Sequence, residues 1–519
     1  MSIMSEGLFS QNATRCRATS LLIGFLAPLA FYLLFNSHCY DGDGLRNLPW
    51  NWGDFTMGGN NHFLTSFWYW SWWQWVHGCS GPGFEEKMHW LAVLNAILGA
   101  LSVCLVMDLV FLQTRKHGSA LLTGLLLAIS AAFFYHSTQT TEPMIGLFWF
   151  LLSWRLLVSK QCSNPAVTVL SAVCLAVSVA SYQSFVLGGL GLAILSWSNA
   201  KKGVTWMFTA TVAGVFVFAG AAYGRGAENA HAVLQQIFER PGAELSGVWG
   251  GWRLDRLPGI PMGMAQAICP WLPQPWLGWR TSGPTLSSAQ LVKFFLIVFA
   301  TFGAMAYVTL RLLLQKPLQR SAVAVIAIFL GGMIAPYYFD TCYYKMWLLP
   351  LAAFSVMVGC LFSIRPFVRR VAVGMCLGIF VWNWFAVYEK NHRRDNPQAR
   401  AVAKLEQSLR PDDLLVCDGW DHSGAFRAKN PRQPGLMLLD FDGKNLTRLT
   451  RTFYKTWNNG GRVFFFGVLD IERHQWTLSI GKWGGWDYDM FADFRTQSRL
   501  VFRGSDYGFE GQLFELLPP

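Results

Sequence analysis

Between residues 20 and 390 the chain alternates, about eleven times, between an apolar run of near membrane-spanning length and a short polar connection. No other feature limits the fold so strongly. Backbone inside hydrocarbon must satisfy its own hydrogen bonds, so each run reads as a helix and the set as a bundle. Only 14% of residues are charged, against roughly 25% in soluble domains. The formal net charge of +12 does not call for a nucleic-acid partner. Its Lys and Arg gather in alternate connections: Arg115-Lys116, Arg155 with Lys160, Lys201-Lys202, Arg311 with Lys316 and Arg320, and Arg365 with Arg369 and Arg370. That pattern marks cytoplasmic loops.

The fold class expected is mainly α: a polytopic transmembrane helix bundle of about eleven spans with a small C-terminal α/β soluble domain. Residues 1–19, with Arg15 and Arg17, form a cytoplasmic N-terminus, and residues 20–390 form the membrane domain. Its long outer loops are 36–90 and 223–288. Residues 391–519 have soluble composition and lie outside, because an odd number of spans precedes them. Lys390, Arg393 and Arg394 run against the charge rule there. Asp413 to Cys417, Gly435 to Asp440, Arg462 to Gly467 and Leu500 to Arg503 read as strands, and Lys444 to Trp457 as a helix stopped by Asn-Asn-Gly-Gly. Eleven cysteines without a CxxC pair argue against structural zinc. Cys39 and Cys79 are expected to form a disulfide in the first outer loop.

The outer face collects polar groups that need an explanation. His38-Cys39-Tyr40-Asp41-Gly42-Asp43-Gly44 follows the first span. His62 lies further along the same loop, and His136 and Glu142 stand in the turn after the third run. Asp340 and Lys345 precede the tenth run, and Arg253 and Arg256 sit in the long Trp- and Pro-rich loop. Ionisable groups at membrane depth are costly and tend to be functional. Each also has an ordinary explanation. Asp-Gly is turn chemistry. Glu142 before Pro143 suits a first helical turn, and Asp340 suits a helix start or a solvated loop. Lys345 among Tyr343, Tyr344 and Trp347 can snorkel. The aromatic run from Phe67 to Trp75 reads as an interfacial helix with Trp68, Trp72 and Trp75 on one face, or as a sugar- or lipid-stacking wall.

The order of these parts resembles the GT-C superfamily of polytopic glycosyltransferases, including its protein O-mannosyltransferase-like and aminoarabinose transferase-like branches. The resemblance covers roughly residues 20 to 390. It rests on one span, an outer loop opening with acids, the hairpin turning at Ser-Thr-Gln-Thr-Thr-Glu-Pro, Ser-Tyr-Gln-Ser at a later helix end, and Asp340-x4-Lys345-x4-Pro350. It implies transfer of a sugar from a polyprenyl-phosphate or polyprenyl-diphosphate carrier to a glycan, lipid or protein acceptor outside the cytoplasm. It gives Asp41 or Asp43 the base role, with Glu142 as a second acid, and puts Lys345 at the donor phosphate. Asp340, His62, His136, Tyr182, Gln183, Arg253 and Arg256 are the further substrate-binding candidates. It fixes no cofactor, and it is compatible with a divalent cation, for which Asp43 is the candidate ligand. The first loop departs from the family in reading Asp-Gly-Asp rather than adjacent acids. Trp486-Asp487-Tyr488 only weakly matches the oligosaccharyltransferase element.

The chemistry stands without the resemblance. An acceptor hydroxyl needs a carboxylate to take its proton, a departing lipid phosphate needs a fixed cation, and direct displacement inverts the anomeric centre. The expected setting is a bacterial inner membrane with the site facing the periplasm or exterior. The competing readings are a transporter or flippase for a lipid-linked saccharide, which would favour mid-membrane charges and inverted repeats, and a non-catalytic assembly protein.

Overall fold

The structure, a computed structural model, describes residues 2–38, 64–77, 84–159, 164–224, 257–270, 288–314, 319–338, 344–362, 366–418, 421–438, 446–473 and 485–519, with isolated positions between them. Asp41, Asp43, His62, Arg253, Arg256 and Asp340 lie outside the described residues, as do Cys39 and Cys79.

The apolar runs fold as helices. In chain order these are α1 (Ser2–Leu34), the aromatic helix α2 (Thr65–His77), α3 (Phe84–Thr114), α4 (His117–Ile129), α5 (Ala131–Thr138), α6 (Pro143–Leu157) and α7 (Pro165–Ser181). A 3-10 turn, Gln183–Gly188, leads into α8 (Gly189–Ser196), followed by α9 (Ala200–Gly224), α10 (Gly259–Ile268), α11 (Ser288–Leu313) and α12 (Arg320–Tyr338). A second 3-10 turn, Tyr344–Trp347, opens α13 (Leu348–Phe362), and α14 (Pro366–Asn383) ends in a π turn, Trp384–Tyr388. Among the described residues, seven helices are long and apolar enough to cross a membrane, or eight if α4 and α5 count as one broken span; Pro143–Leu157, Pro165–Ser181 and Gln183–Ser196 are shorter apolar helices. Together they account for each of the runs read from the sequence, and this is the architecture of a multi-pass membrane protein.

Lipid offers apolar side chains no hydrophobic drive to associate, so close approach of helices must come from small residues and buried polar contacts. Both occur. A Cβ on Gly331 would stand 2.2 Å from the Leu187 carbonyl oxygen, and one on Gly191 would stand 2.5 Å from that of Ala324. Backbone there packs on backbone. At the opposite end of the bundle, Asp108 is 7% exposed. It accepts bonds from Arg17 Nε at 2.9 Å and Nη2 at 2.6 Å, and from Arg155. One acid thus ties α1, α3 and α6.

The chain bends by 68° between α4 and α5. A break frees carbonyls that water cannot reach, and side chains from distant helices take them. Tyr32 OH donates to Ala128 O at 3.2 Å, while Asn383 Nδ2 at 2.8 Å and Tyr388 OH both donate to Ile129 O. Asn383 Nδ2 also reaches Ile268 O at 2.9 Å. The long outer loop is therefore not all loop. Its helix α10 enters the bundle core through Met264 and Ala267 and packs against α5, α11 and the Tyr344–Trp347 turn. An apolar stretch of ten residues is too short to be read as a span, which hid it.

The C-terminal domain is a five-stranded sheet of order β2-β1-β3-β5-β4, with β1 (Leu414–Cys417), β2 (Gly435–Met437), β3 (Val463–Phe466), β4 (Ser498–Arg503) and β5 (Gln512–Leu516). β2, β1 and β3 are parallel; β5 pairs antiparallel with β3 and β4. Period-two alternation divides the central strands. Leu415, Cys417, Phe464 and Phe466 face α15 (Pro397–Ser408) and α16 (Asp421–Lys429), and the same apolar cluster continues into Tyr69, Met88, Leu91 and Ile145 of the membrane domain. Leu414, Val416, Val463 and Phe465 face α17 (Leu446–Asn458) on the far side. Trp486 belongs to that far core: its indole donates to Leu438 O at 2.9 Å. The linker into this domain is stitched to the end of α1, with His38 N on Asn391 O at 2.9 Å and Asn396 Nδ2 on His38 O at 2.9 Å. The sheet therefore stands at the end of α1 opposite Arg17.

Candidate functional site

α5 ends at Thr138, Gln139 is extended, and Glu142 precedes Pro143 at the start of α6. A polar turn between helices ordinarily faces water. Here every residue from His136 to Glu142 is at most 2% exposed, because neighbouring helices supply its hydrogen bonds. Asn95 of α3 donates Nδ2 to Gln139 O at 2.6 Å and to Thr141 O at 2.9 Å. Tyr69 of α2 donates its hydroxyl to Thr141 O at 2.8 Å, and Thr140 Oγ1 reaches Met88 O at 3.3 Å. Inside the turn, His136 Nδ1 and Thr141 Oγ1 are 3.0 Å apart.

Against this turn stands the other half of the centre. Lys345 Nζ lies 3.2 Å from Glu142 Oε1, with side chains 11% and 1% exposed. Glu142 stands at the start of α6, where an acid suits the helix N-terminus, and makes no side-chain cap bond to its own helix. The Lys345 ammonium meets this buried acid. Tyr182 is buried and its hydroxyl meets Met346 Sδ at 3.4 Å, beside Lys345 in the same 3-10 turn. Its Cβ is 2.8 Å from where a Cβ on Gly146 would stand, one turn into α6. Gln183 follows, half-buried, at the start of its 3-10 turn. Tyr135 bridges the two halves, edge-on to His136 at 5.1 Å and to Tyr344 at 5.9 Å. The fold therefore gathers His136 and Glu142 of one turn, Tyr182 and Lys345 from three separate stretches.

The loop that carries Asp41, Asp43 and His62 is outside the described residues, but both its flanks are fixed at this centre. Ser37 N donates to Thr138 O at 3.0 Å, Leu64 N to Ala180 O at 3.2 Å, and Thr65 Oγ1 to Ser181 O at 3.1 Å. His38 lies at the first flank. Burial, then the charges of Arg394 and His392, hold its imidazole below the usual value. Among the described residues no group of three or more His, Cys, Asp or Glu could hold a metal ion; Asp43 is not among them.

The aromatic run forms a helix, as expected. The face it buries deepest is Thr65, Tyr69 and Trp73, beside the face of Trp68, Trp72 and Trp75; Trp75 is 77% exposed. Trp68 stacks near Trp149 of α6 at 5.5 Å, and Trp72 donates its indole to Trp90 O at 2.8 Å. The helix is a brace for the Thr141 turn. Asn95 and Tyr69 escaped the sequence reading because a lone Asn in an apolar run and one Tyr among tryptophans carry no spacing signal. Gln139 stood in the quoted hairpin without being singled out.

An apolar groove lined by Leu377, Gly378, Val381, Trp382, Phe385 and Ala386 lies along α14 and its π turn. None of its lining residues belongs to the polar centre.

No family model and no curated protein matches the chain. Solved structures do. ArnT from Cupriavidus metallidurans bound to undecaprenyl phosphate aligns with a TM-score of 0.56 at 13% identity, covering 96% of this chain and 98% of that one. The Archaeoglobus fulgidus oligosaccharyltransferase tethered to an acceptor peptide aligns with a TM-score of 0.52 at 12% identity, covering 93% of this chain and 72% of that one. The Archaeoglobus fulgidus AglB complex with an inhibitory peptide and a dolichol-phosphate gives 0.52 at 10% identity, covering 92% and 72%. A likeness that spans nearly the whole chain shows that this chain shares the fold of these proteins.

Proposed function

We propose that the protein is an integral-membrane glycosyltransferase that moves a sugar from a polyprenyl-phosphate or diphosphate carrier to an acceptor outside the cytoplasm, with its site facing the periplasm or exterior of a bacterial inner membrane. The observation that carries this reading is the buried Glu142–Lys345 pair, set beside the anchored flanks of the loop with Asp41 and Asp43. The ligands in the neighbours' structures, undecaprenyl phosphate and dolichol-phosphate, support a polyprenyl-phosphate donor.

In this reading Asp41 or Asp43 takes the proton of the acceptor hydroxyl as its oxygen attacks the anomeric carbon. The bond from that carbon to the phosphate oxygen breaks, and the phosphate leaves with the electron pair. Lys345 meets the charge that grows there, where a low dielectric strengthens the interaction. Glu142 holds Lys345 in place before the donor arrives. His136, Tyr182 and Gln183 contact the transferred sugar. Arg253, Arg256 and Asp340 contribute from loops to the carrier phosphate and acceptor, and a divalent cation on Asp43 would serve the same phosphate.

A transfer assay with a panel of polyprenyl-phosphate sugars tests the reading. Asp41→Asn or Asp43→Asn should lower turnover by roughly 10²–10⁴-fold with donor affinity retained. Wild-type rates in both variants would remove the acid loop from the chemistry and favour carriage of a lipid-linked saccharide instead.

A further inference from the structure

Several buried polar atoms without a protein partner surround one turn of the described residues. Among the described residues, Gln139 Nε2 and Oε1, His136 Nε2 and Asn95 Oδ1 all lack a hydrogen-bond partner. Their residues are 1%, 2% and 0% exposed. The three residues are locked together: Asn95 Nδ2 binds the Gln139 and Thr141 carbonyls, and His136 Nδ1 meets Thr141 Oγ1. Each such atom left unmatched costs about 1–3 kcal/mol, so four around one turn need a reason that packing does not give.

We propose that Gln139, with His136 and Asn95, forms the recognition pocket for the hydroxyls of a sugar ring, leaving the carrier phosphate to Lys345. The chemistry of the set argues for that ligand. The Gln139 amide offers a donating NH2 and an accepting oxygen whichever way it is turned, the free imidazole nitrogen offers either role, and Asn95 Oδ1 accepts. A hydroxyl both donates and accepts, so a polyhydroxylated ring satisfies every member. An anion would meet two carbonyl oxygens and the adjoining Glu142, and an apolar group would satisfy none. The inference rests on the transferase reading and adds to it a division of the donor: sugar at the α5–α6 turn, phosphate at the Tyr344–Trp347 turn.

Full-length protein in nanodiscs is titrated with undecaprenyl phosphate and with undecaprenyl phosphate bearing a neutral hexose, an amino sugar or a pentose. The wild type should bind one of the sugar-bearing lipids more tightly than undecaprenyl phosphate, by about tenfold for two added hydrogen bonds. Gln139→Met keeps the volume and removes the amide. It should abolish the preference, leave undecaprenyl phosphate binding unchanged, and keep or raise the melting temperature, because an unmatched polar group has been replaced by an apolar one. Gln139→Asn, which keeps the amide but draws it back, should lose the preference as well. A preference that survives both substitutions overturns the pocket and leaves the transferase reading standing; so does a wild type that binds undecaprenyl phosphate and every sugar-bearing lipid equally. A wild type that binds none of these lipids overturns both.

Discussion

Lys345 and Glu142 stand 203 positions apart in the sequence, and their Nζ and Oε1 atoms meet at 3.2 Å in a buried part of the bundle. Such a pair exists only because the turn before α13 returns to the mouth of the broken span. Its energetics separate scaffold from chemistry. Lys345→Met leaves a buried carboxylate without its cation and should cost about 3–5 kcal/mol, whereas the double variant Lys345→Met/Glu142→Gln should recover most of that. Melting curves and transfer rates measured together check this. Recovered stability with recovered activity would make the pair a structural tie.

The bend after Ile129 depends on donors from the far end of the chain. Tyr388→Phe removes one of the two that reach the Ile129 carbonyl and should cost about 1–2 kcal/mol. Tyr388→Phe combined with Asn383→Leu leaves that carbonyl with neither and should cost more than the two single changes together. Additive losses would mean that the two donors do not share one acceptor.

At the opposite end, Asp108→Asn leaves Arg17 and Arg155 facing each other without an acid. The arginines are 32% and 22% exposed, so solvent moderates the effect to about 1–3 kcal/mol. Donor affinity of the folded fraction should be unchanged, since α6 places Arg155 and Glu142 at its two ends. A large fall in affinity at equal folded fraction would show that the two ends of α6 are coupled.

In the soluble domain Asp413 is 1% exposed. Burial works against its charge, but hydrogen bonds from the Arg462 side chain and from the Arg410 and Arg462 backbone outweigh it and hold the carboxyl below its usual range. A folded value below the unfolded one of about 3.9 means stability that is complete at neutral pH and is lost as pH falls through the folded value. The stability difference between wild type and Asp413→Asn should therefore be about 2 kcal/mol at pH 7 and shrink steadily below pH about 4. A difference that is flat down to pH about 2 would remove the carboxylate from the account.

Periodicity and charge made the helices of the apolar runs, α17 and the first four strands legible, because apolar runs and basic loops are written locally. The Glu142, Lys345 and His136 positions were legible as polar groups out of place. Their meeting was not, since no local pattern records a contact over two hundred positions. Asp108 was invisible for a different reason: one acid inside a long apolar run changes its hydropathy little, and its partners lie in two other helices. β5 (Gln512–Leu516) was missed because it lies at the sheet's antiparallel side, where Gln512 and Glu515 dilute the apolar pattern. The α10 helix was hidden inside a loop rich in Trp and Pro.

The Arg17–Asp108–Arg155 tie also bears on how the chain is made. A ribosome delivers Arg17 first, so when Asp108 emerges the cation that compensates it has already been made. Arg155 arrives last and finds a carboxylate already held between α1 and α3. The hairpin of α1 and α3 can thus close before any of α6 is synthesised. The two halves of the polar centre, made some two hundred residues apart, are then joined on a scaffold whose other end is already locked.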